Sequence, residues 1–312
     1  MSTRTELLKA LDGHPGQLVS GADLADRLGI SRTGVWKQLQ YIKHAGLPLE
    51  GSNRQGYRFL APLDSSLAAY RATGWGTPHY FLSTGSTQTL ARGGAVAGLP
   101  EGHLWMAETQ TKGRGRLDRR WDSSYGGLWF SLLLRPRLPA ASVPPLTLLA
   151  GLALRKAVEK ETGISVKLKW PNDLLVSSRK LAGILTEMSG QMERTEWVVI
   201  GAGLNVNNTL PKTLAHQAVS LFSMTGRRWA RADLLKAFLK SFHSMYGQYL
   251  KQGFKPFMQD YWSHYFAPNK PARLRTGQGW ISGIVRGVDA SGAILIESHR
   301  KIRLISEGEI VT

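Results

Sequence analysis

The chain contains no cysteine, which excludes disulfides, thiolate metal sites and thiol nucleophiles. Acid is scarce as well: 22 Asp and Glu stand against 40 Lys and Arg, a net charge of +18. No run of about 18 or more apolar residues occurs, so nothing reads as a membrane-spanning helix. The most apolar stretch, Leu146 to Leu154, runs into Arg155 and Lys156. The opening Met1-Ser2-Thr3-Arg4-Thr5-Glu6 lacks the apolar core of a signal peptide. These absences lead to the expectation of a cytoplasmic protein without a membrane partner or an intrinsic metal. The 312 residues, 42% of them hydrophobic and 20% charged, fit an ordinary soluble chain of two or three domains.

The positive charge is unevenly placed. Residues 1–65 carry +2, residues 66–140 +5, residues 141–268 +8 and residues 269–312 +3. Such an excess either forms a solvated surface or attracts an anionic nucleotide or an acidic protein.

The first sixty residues predict three short helices and a hairpin. Thr3 or Thr5 is placed to cap a helix through Leu11, ending at Gly13-His14-Pro15-Gly16. Ser20 is the N-cap of a second helix with Leu24, Ala25 and Leu28 on its apolar face and Gly29 as its stop. Ser31 caps a third, in which Val35, Leu39 and Ile42 repeat at helical spacing. Leu47–Glu50 and Tyr57–Leu60 flank a basic turn and predict a wing. Helix, short turn, helix and wing is the pattern of a DNA-binding module, although small helical triplets also dock proteins. Arg32, Thr33, Lys37 and Gln38 fall off the apolar stripe of the third helix, and Arg54 sits in the wing, so these are the candidate DNA contacts.

Pro62–Ser66 reads as a linker. From about residue 78 to 205 strands alternate with helices: strands at His79–Ser83, His103–Glu108, Leu128–Leu134, Val166–Trp170 and Trp197–Ile200, helices at Gln88–Ala97 and Leu146–Glu161. A long helix, Arg231–Gly253, follows. The last stretch is all β, with strands at 272–275, 279–285 and 293–296 separated by turn signals, which suits a small barrel. The expected domains are therefore 1–63, 64–267 and 268–312.

The segment richest in chemistry is Gln110-Thr111-Lys112-Gly113-Arg114-Gly115-Arg116-Leu117-Asp118-Arg119-Arg120-Trp121, with five cations in nine residues. Such a run does not pack in a core. Its glycines allow the backbone to approach a ligand, its guanidiniums match phosphate oxygens, and Trp121 offers a face to a purine. By itself it could equally be a solvated or nucleic-acid-binding loop. Further on come Lys169-Trp170-Pro171-Asn172-Asp173-Leu174, Arg179-Lys180-Leu181-Ala182-Gly183-Ile184-Leu185 and Ile200-Gly201-Ala202-Gly203-Leu204-Asn205. The first two predict a hairpin with Asn172 and Asp173 at its tip. Neither a Walker A nor a dinucleotide fingerprint fits these spacings.

Taken in order with the turn Gly85-Ser86-Thr87-Gln88, these motifs resemble the bifunctional biotin protein ligases that double as biotin-operon repressors, over nearly the whole chain. The resemblance implies an α+β multidomain protein: an N-terminal winged helix-turn-helix, a central class II synthetase-like α/β ligase domain with a mixed sheet, and a C-terminal SH3-like β-barrel. It implies formation of biotinyl-5′-adenylate from biotin and ATP with Mg²⁺, then transfer to a lysine of the biotin carrier domain of acetyl-CoA carboxylase. Ser86, Thr87 and Gln88 would bond the ureido ring. Gln110, Arg114, Gly115, Arg116, Lys180 and Gly183 would complete the biotin side. Arg119, Trp121, Asn172 and Asn205 would serve the nucleotide, and Arg116 and Lys180 would stabilise the transition state. An adenylate-bound homodimer would present two winged helices to operator DNA. Two other readings share parts of this pattern: a biotin-sensing regulator without catalysis, and a lipoate or octanoate ligase, whose Arg-Arg-x-x-Gly-Gly-Gly run is missing here. Two departures stand out. Gly85 and Gln88 replace the ends of a turn that often reads Asp-Ser-Thr-Asn, and Leu117-Asp118 stands where Arg-Gly is familiar.

Overall fold

The computed structural model describes residues 3–12, 17–44, 47, 49–52, 54–59 and 78–311. The helix stop expected at 13–16, the linker at 62–66 and the domain limit at 63/64 lie outside the described residues.

Three helices, α1 (Thr3–Asp12), α2 (Gly21–Leu28) and α3 (Arg32–His44), precede a hairpin of β1 (Leu49–Ser52) and β2 (Gly56–Phe59). The Ser20 hydroxyl accepts the Asp23 amide at 3.0 Å, and Gly29 closes α2 at φ 62°. Ser31 caps α3 in the same way, accepting the Gly34 amide at 3.0 Å. α1 begins at Thr3, so Thr5 lies in its first turn and not at its cap. Val35, Leu39 and Ile42 of α3 meet Leu7, Leu11, Leu24, Tyr57 and Phe59 in one core, which Leu82 of the next domain completes. β1 and β2 pair antiparallel, Leu49 opposite Phe59, and Val19 bonds the other side of β2 at Tyr57. This is a winged helix-turn-helix.

The central domain is a seven-stranded sheet in the order β3-β4-β5-β9-β8-β7-β6. Its strands are β3 (Pro78–Thr84), β4 (Leu104–Gln110), β5 (Leu128–Leu134), β6 (Lys167–Lys169), β7 (Asp173–Val176), β8 (Arg179–Gly190) and β9 (Thr195–Leu204). Only β3 and β4 run parallel, joined through α4 (Thr87–Val96) as a βαβ unit. The remaining neighbours are antiparallel, so the strand–helix alternation expected from sequence is present but yields a parallel pair in that unit alone. β7 and β8 turn at Ser177 and Ser178, both at positive φ, a tight turn that carries no glycine or asparagine to announce it. The Lys-Trp-Pro-Asn-Asp motif likewise spans a turn: β6 ends at Lys169 and Asp173 opens β7, which moves Asp173 from a hairpin tip to a strand.

One face of the sheet is covered by α5 (Pro144–Thr162) and α7 (Arg231–Gln252), which follows the short α6 (Leu221–Thr225). Leu149, Leu152, Phe238 and Phe242 are fully buried there. On the other face α4 sets Ala91 and Ala95 against Trp105, Leu133, Trp197 and Val199. Gly183 of β8 and Gly201 and Gly203 of β9 lie on this second face, and they floor the cleft. At the start of α7, Arg231 holds Glu108 through two charged hydrogen bonds at 2.7 and 3.1 Å, and Tyr80 donates to the same carboxylate at 2.5 Å.

After α8 (Met258–Ser263) the chain ends in five antiparallel strands: β10 (Pro271–Thr276), β11 (Gly279–Val288), β12 (Ile294–Ser298), β13 (Lys301–Ile305) and β14 (Glu309–Val311). The order is β13-β12-β11-β10-β14, and the outer strands do not pair with one another among the described residues, so the sheet does not close. β13 escapes sequence reasoning because Ile302 and Leu304 point to solvent, 63% and 61% exposed, and β14 because its 3 residues are too few to show a period. The Trp170 indole N–H donates to the Gly292 carbonyl at 2.9 Å and ties this domain to the central one.

Candidate active site

The basic segment is a zipped hairpin. The Trp121 amide donates to the Gly113 carbonyl at 2.9 Å and the Gly115 amide to the Arg119 carbonyl at 2.8 Å. Gly113 is required by this closeness: a Cβ there would sit 2.4 Å from the Trp121 carbonyl oxygen. At the tip, Leu117 and Asp118 both take left-handed backbone, φ 55° and 54°. The strain falls on Leu117, since aspartate tolerates the left-handed region, and both residues stand where Arg-Gly is familiar in the family.

The hairpin lies over a cleft of about 660 Å³ lined from all the expected segments. Its inner end is polar and closed. The Thr87 amide and hydroxyl donate to Gln110 Oε1 at 2.7 and 3.1 Å, and Gln110 Nε2 donates to Ser123 Oγ at 2.8 Å. Ser131 Oγ lies 2.9 Å from Thr87 Oγ1 and donates to Gln88 Oε1 at 3.0 Å. Gln88 Nε2 donates in turn to the Val199 carbonyl at 3.3 Å, so the Gln88 amide is engaged at both ends by the protein. Ser86 differs: its hydroxyl is buried and has no partner. A buried orphan hydroxyl costs stability unless a ligand satisfies it.

Trp121 lies flat on the floor. A Cβ at Gly203 would meet its Nε1 at 2.6 Å, and one at Gly183 its ring at 3.0 Å, so both glycines are dictated by the indole above them. Lys180 Nζ stands 5.0 Å over the same ring and 2.7 Å from Asp173 Oδ1, a contact too poorly aligned to count as a hydrogen bond. Arg116, also on the cleft wall, donates to the Gly308 carbonyl of the C-terminal domain at 3.2 Å. Burial lowers its pKa from the ordinary arginine value, opposed by Asp173 and Glu309. Lys169 is lowered in the same way by burial and is drawn back by Asp173. Asn172 Nδ2 donates to the Ile184 carbonyl at 2.8 Å, while Asn205 Oδ1 accepts from Asn208 at 3.1 Å.

Two of the expected binding residues, Arg114 and Arg119, line the cleft but are paired with carboxylates of the protein. Arg114 pairs with Glu187 at 3.3 Å and Asp118 at 3.2 Å, and Arg119 binds Glu309 in bidentate fashion at 2.6 and 2.7 Å. Both face carboxylates of the protein. Sequence reasoning missed Ser131, Asp173, Lys169, Glu187 and Glu309. Only Asp173 and Lys169 carried a signal, since both flank the Trp-Pro-Asn turn.

On the winged helix, Arg32, Thr33, Lys37 and Arg54 are exposed and Gln38 is half-buried. Trp36 and Tyr41 add exposed aromatic surface to α3, 43% and 41% accessible. Among the described residues no group of three His, Cys, Asp or Glu is arranged to hold a metal, and no helix is long and apolar enough to cross a membrane.

Against this geometry the comparisons agree. The model of the biotin/lipoate A/B protein ligase family matches residues 80–205, a helix-turn-helix domain model matches 3–58, and the biotin protein ligase C-terminal domain model matches 269–312. The bifunctional ligase/repressor BirA of Bacillus subtilis (strain 168) is 35% identical over 98% of both chains. Its counterpart from Escherichia coli (strain K12) is 28% identical over 95% of this chain and 93% of its own. The biotin protein ligase of Aquifex aeolicus, solved with biotin and ATP, is 31% identical and superposes with a TM-score of 0.67 over 76% of this chain and 98% of that one. The chain belongs to the biotin protein ligases, in the branch of bifunctional ligase/repressors.

Proposed function

We propose that the chain joins biotin to ATP as biotinyl-5′-adenylate, passes the biotinyl group to a lysine of the biotin carrier domain of acetyl-CoA carboxylase, and represses transcription through its winged helix. The observation that carries the reading is the polarity of the cleft. Its inner end holds an orphan Ser86 hydroxyl beside Thr87 and Gln110, suited to a neutral, hydrogen-bonding ring. Its mouth holds Arg116, Lys169 and Lys180, suited to a carboxylate meeting a triphosphate.

In this reading biotin enters ring first and its carboxylate stops below Arg116 and Lys180. Two anions must approach for the carboxylate oxygen to attack the α-phosphorus. Fixed cations remove that repulsion and stabilise the charge of the pentavalent state as pyrophosphate leaves. Mg²⁺ arrives with the ATP. Asp173 holds Lys180 near the floor until the phosphates draw it away. Asn172 and Asn205 border the nucleotide side, and Arg119 would exchange Glu309 for a phosphate. The acceptor amine then attacks the acyl carbon and AMP leaves, so no side chain of the enzyme need form a covalent bond.

The finer arrangement follows the same reading: domains at 1–63, 64–267 and 268–312, the last SH3-like, and a homodimer formed when the adenylate is bound. A consumer of ATP works where ATP is held, in the cytoplasm. The dimer would present Arg32, Thr33, Lys37, Gln38 and Arg54 twice to operator DNA, where half-sites follow the twofold axis. The decisive experiment incubates the protein with biotin, ATP and Mg²⁺ and looks for bound biotinyl-adenylate by mass spectrometry. An empty protein would defeat the ligase reading. Operator binding that is unchanged by biotin plus ATP would defeat the repressor half.

A further inference from the structure

Arg114 lines the cleft, yet its guanidinium is paired with a carboxylate of the sheet, Glu187. β8 alternates faces along its length, so Glu187 lies on the cleft face with Gly183 and Leu185. Its side chain is 21% exposed. Oε1 stands 3.3 Å from Arg114 of the hairpin and 3.9 Å from Arg92 of α4, while Oε2 is buried with no hydrogen-bond partner. Arg114 also reaches Asp118 at the hairpin tip, at 3.2 Å. Its guanidinium is thus flanked by two carboxylates, which leaves little net attraction for a third. Across the hairpin Arg114 bridges to Arg120, so whatever fixes Arg114 fixes both strands of the loop.

A carboxylate with one buried, unsatisfied oxygen depends on its cations more than a surface acid does. If the hairpin lifts, Glu187 keeps only the more distant Arg92. We propose that Glu187 is a positioning residue: it holds the Gly113–Trp121 hairpin down over the cleft through Arg114, which acts as a tether and not as the receptor for the substrate's carboxylate. The proposal rests on the reading of this cleft as the site of the adenylate, but its first test needs no ligand.

The hairpin carries five trypsin targets between Lys112 and Arg120, so its lifting is read as nicking of the folded, full-length protein. Glu187→Gln keeps the shape and removes the charge. It is expected to raise the nicking rate of the ligand-free protein roughly tenfold, the factor that corresponds to about 1.4 kcal/mol of closure. With biotin and ATP, the half-life of bound adenylate should shorten by a similar factor and KM for biotin should rise, while the single-turnover rate at saturating substrates stays within about threefold. Arg114→Gln, read at the four remaining trypsin targets, should raise nicking likewise, and the double variant should be nicked no faster than either single, because one contact is lost only once. Glu187→Asp should recover part of the protection. Nicking and half-life of Glu187→Gln within twofold of wild type would overturn the tether. Additive effects in the double variant would do so as well. Accelerated nicking in a protein that retains no adenylate at all would support the tether and refute the site reading instead.

Discussion

Leu117 sits at φ 55°, ψ 39° in the hairpin tip, and is 69% exposed. A branched apolar side chain in left-handed backbone costs about 1–2 kcal/mol, since its Cβ crowds the next carbonyl. Solvent exposure means that little packing offsets this. Asparagine tolerates the left-handed region, so Leu117→Asn should relieve about 1 kcal/mol of strain in the zipped hairpin, worth about a fivefold shift in its opening equilibrium. Leu117→Gly relieves the same strain but returns about 0.5–1 kcal/mol of backbone freedom to the open loop, and should gain less. If the adenylate leaves when the hairpin unzips, its release slows in the order Leu, Gly, Asn, with Asn about fivefold slower than Leu. The assay preloads the enzyme with labelled biotinyl-adenylate, adds excess unlabelled ligand and follows the label lost. Release from the Asn variant at the wild-type rate or faster would show that the strained tip is not the closed form. Glycine outperforming asparagine would show that the loop needs mobility more than relief.

Three further expectations follow from single contacts. Ser86→Ala should weaken biotin about five- to tenfold by calorimetry, because one buried hydrogen bond is worth about 1–1.5 kcal/mol, while thermal stability holds or rises since no protein contact is lost; unchanged affinity would remove Ser86 from the ring site. Glu108→Ala leaves Arg231 charged and 5% exposed at the start of α7, so urea unfolding should report a loss of about 3–5 kcal/mol; a loss below about 1 kcal/mol would contradict the burial. Glu309 is held at about 2 against an ordinary 4.5, chiefly by its hydrogen bonds from Arg119, with further help from Arg275. A depressed carboxyl stabilises the fold above its unfolded pKa and loses that contribution as pH falls toward its folded value. The melting-temperature gap between wild type and Glu309→Gln should therefore be full at pH 6 and narrow steadily below pH 4.5; with Arg119 half exposed it should be small, and a gap that widens in acid would refute the pairing.

The parts of this protein legible in its sequence are those governed by local rules. Ser20, Gly29 and Ser31 announce the helices of the N-terminal domain, and the 3.6-residue spacing of Val35, Leu39 and Ile42 finds its core. The cleft was legible as separate motifs, since glycines and cations concentrate where backbone and ligand come close. Partners were not legible. Nothing in the local sequence tells that Arg114 meets Glu187, 73 residues on, or that Arg119 meets a carboxylate 190 residues away. Nor does Gln88 reveal that Val199 and Ser131 occupy both ends of its amide. β13 stayed hidden for the opposite reason: Ile302 and Leu304 are wet and Ile305 alone of its apolar residues meets the core, so it has no pattern to read.

The tie between Trp170 and Gly292 bears on how such chains could be recombined. The last domain supplies an acceptor to the turn that carries Asn172, a carbonyl to Arg116 through Gly308, and a carboxylate to Arg119 through Glu309. It is a wall of the reaction chamber, not cargo attached behind it. A chimera that borrowed this domain from a relative would inherit a working chamber only if the borrowed strands returned those three acceptors to the same places, which makes the junction near residue 268 a boundary in the sequence but not in the chemistry.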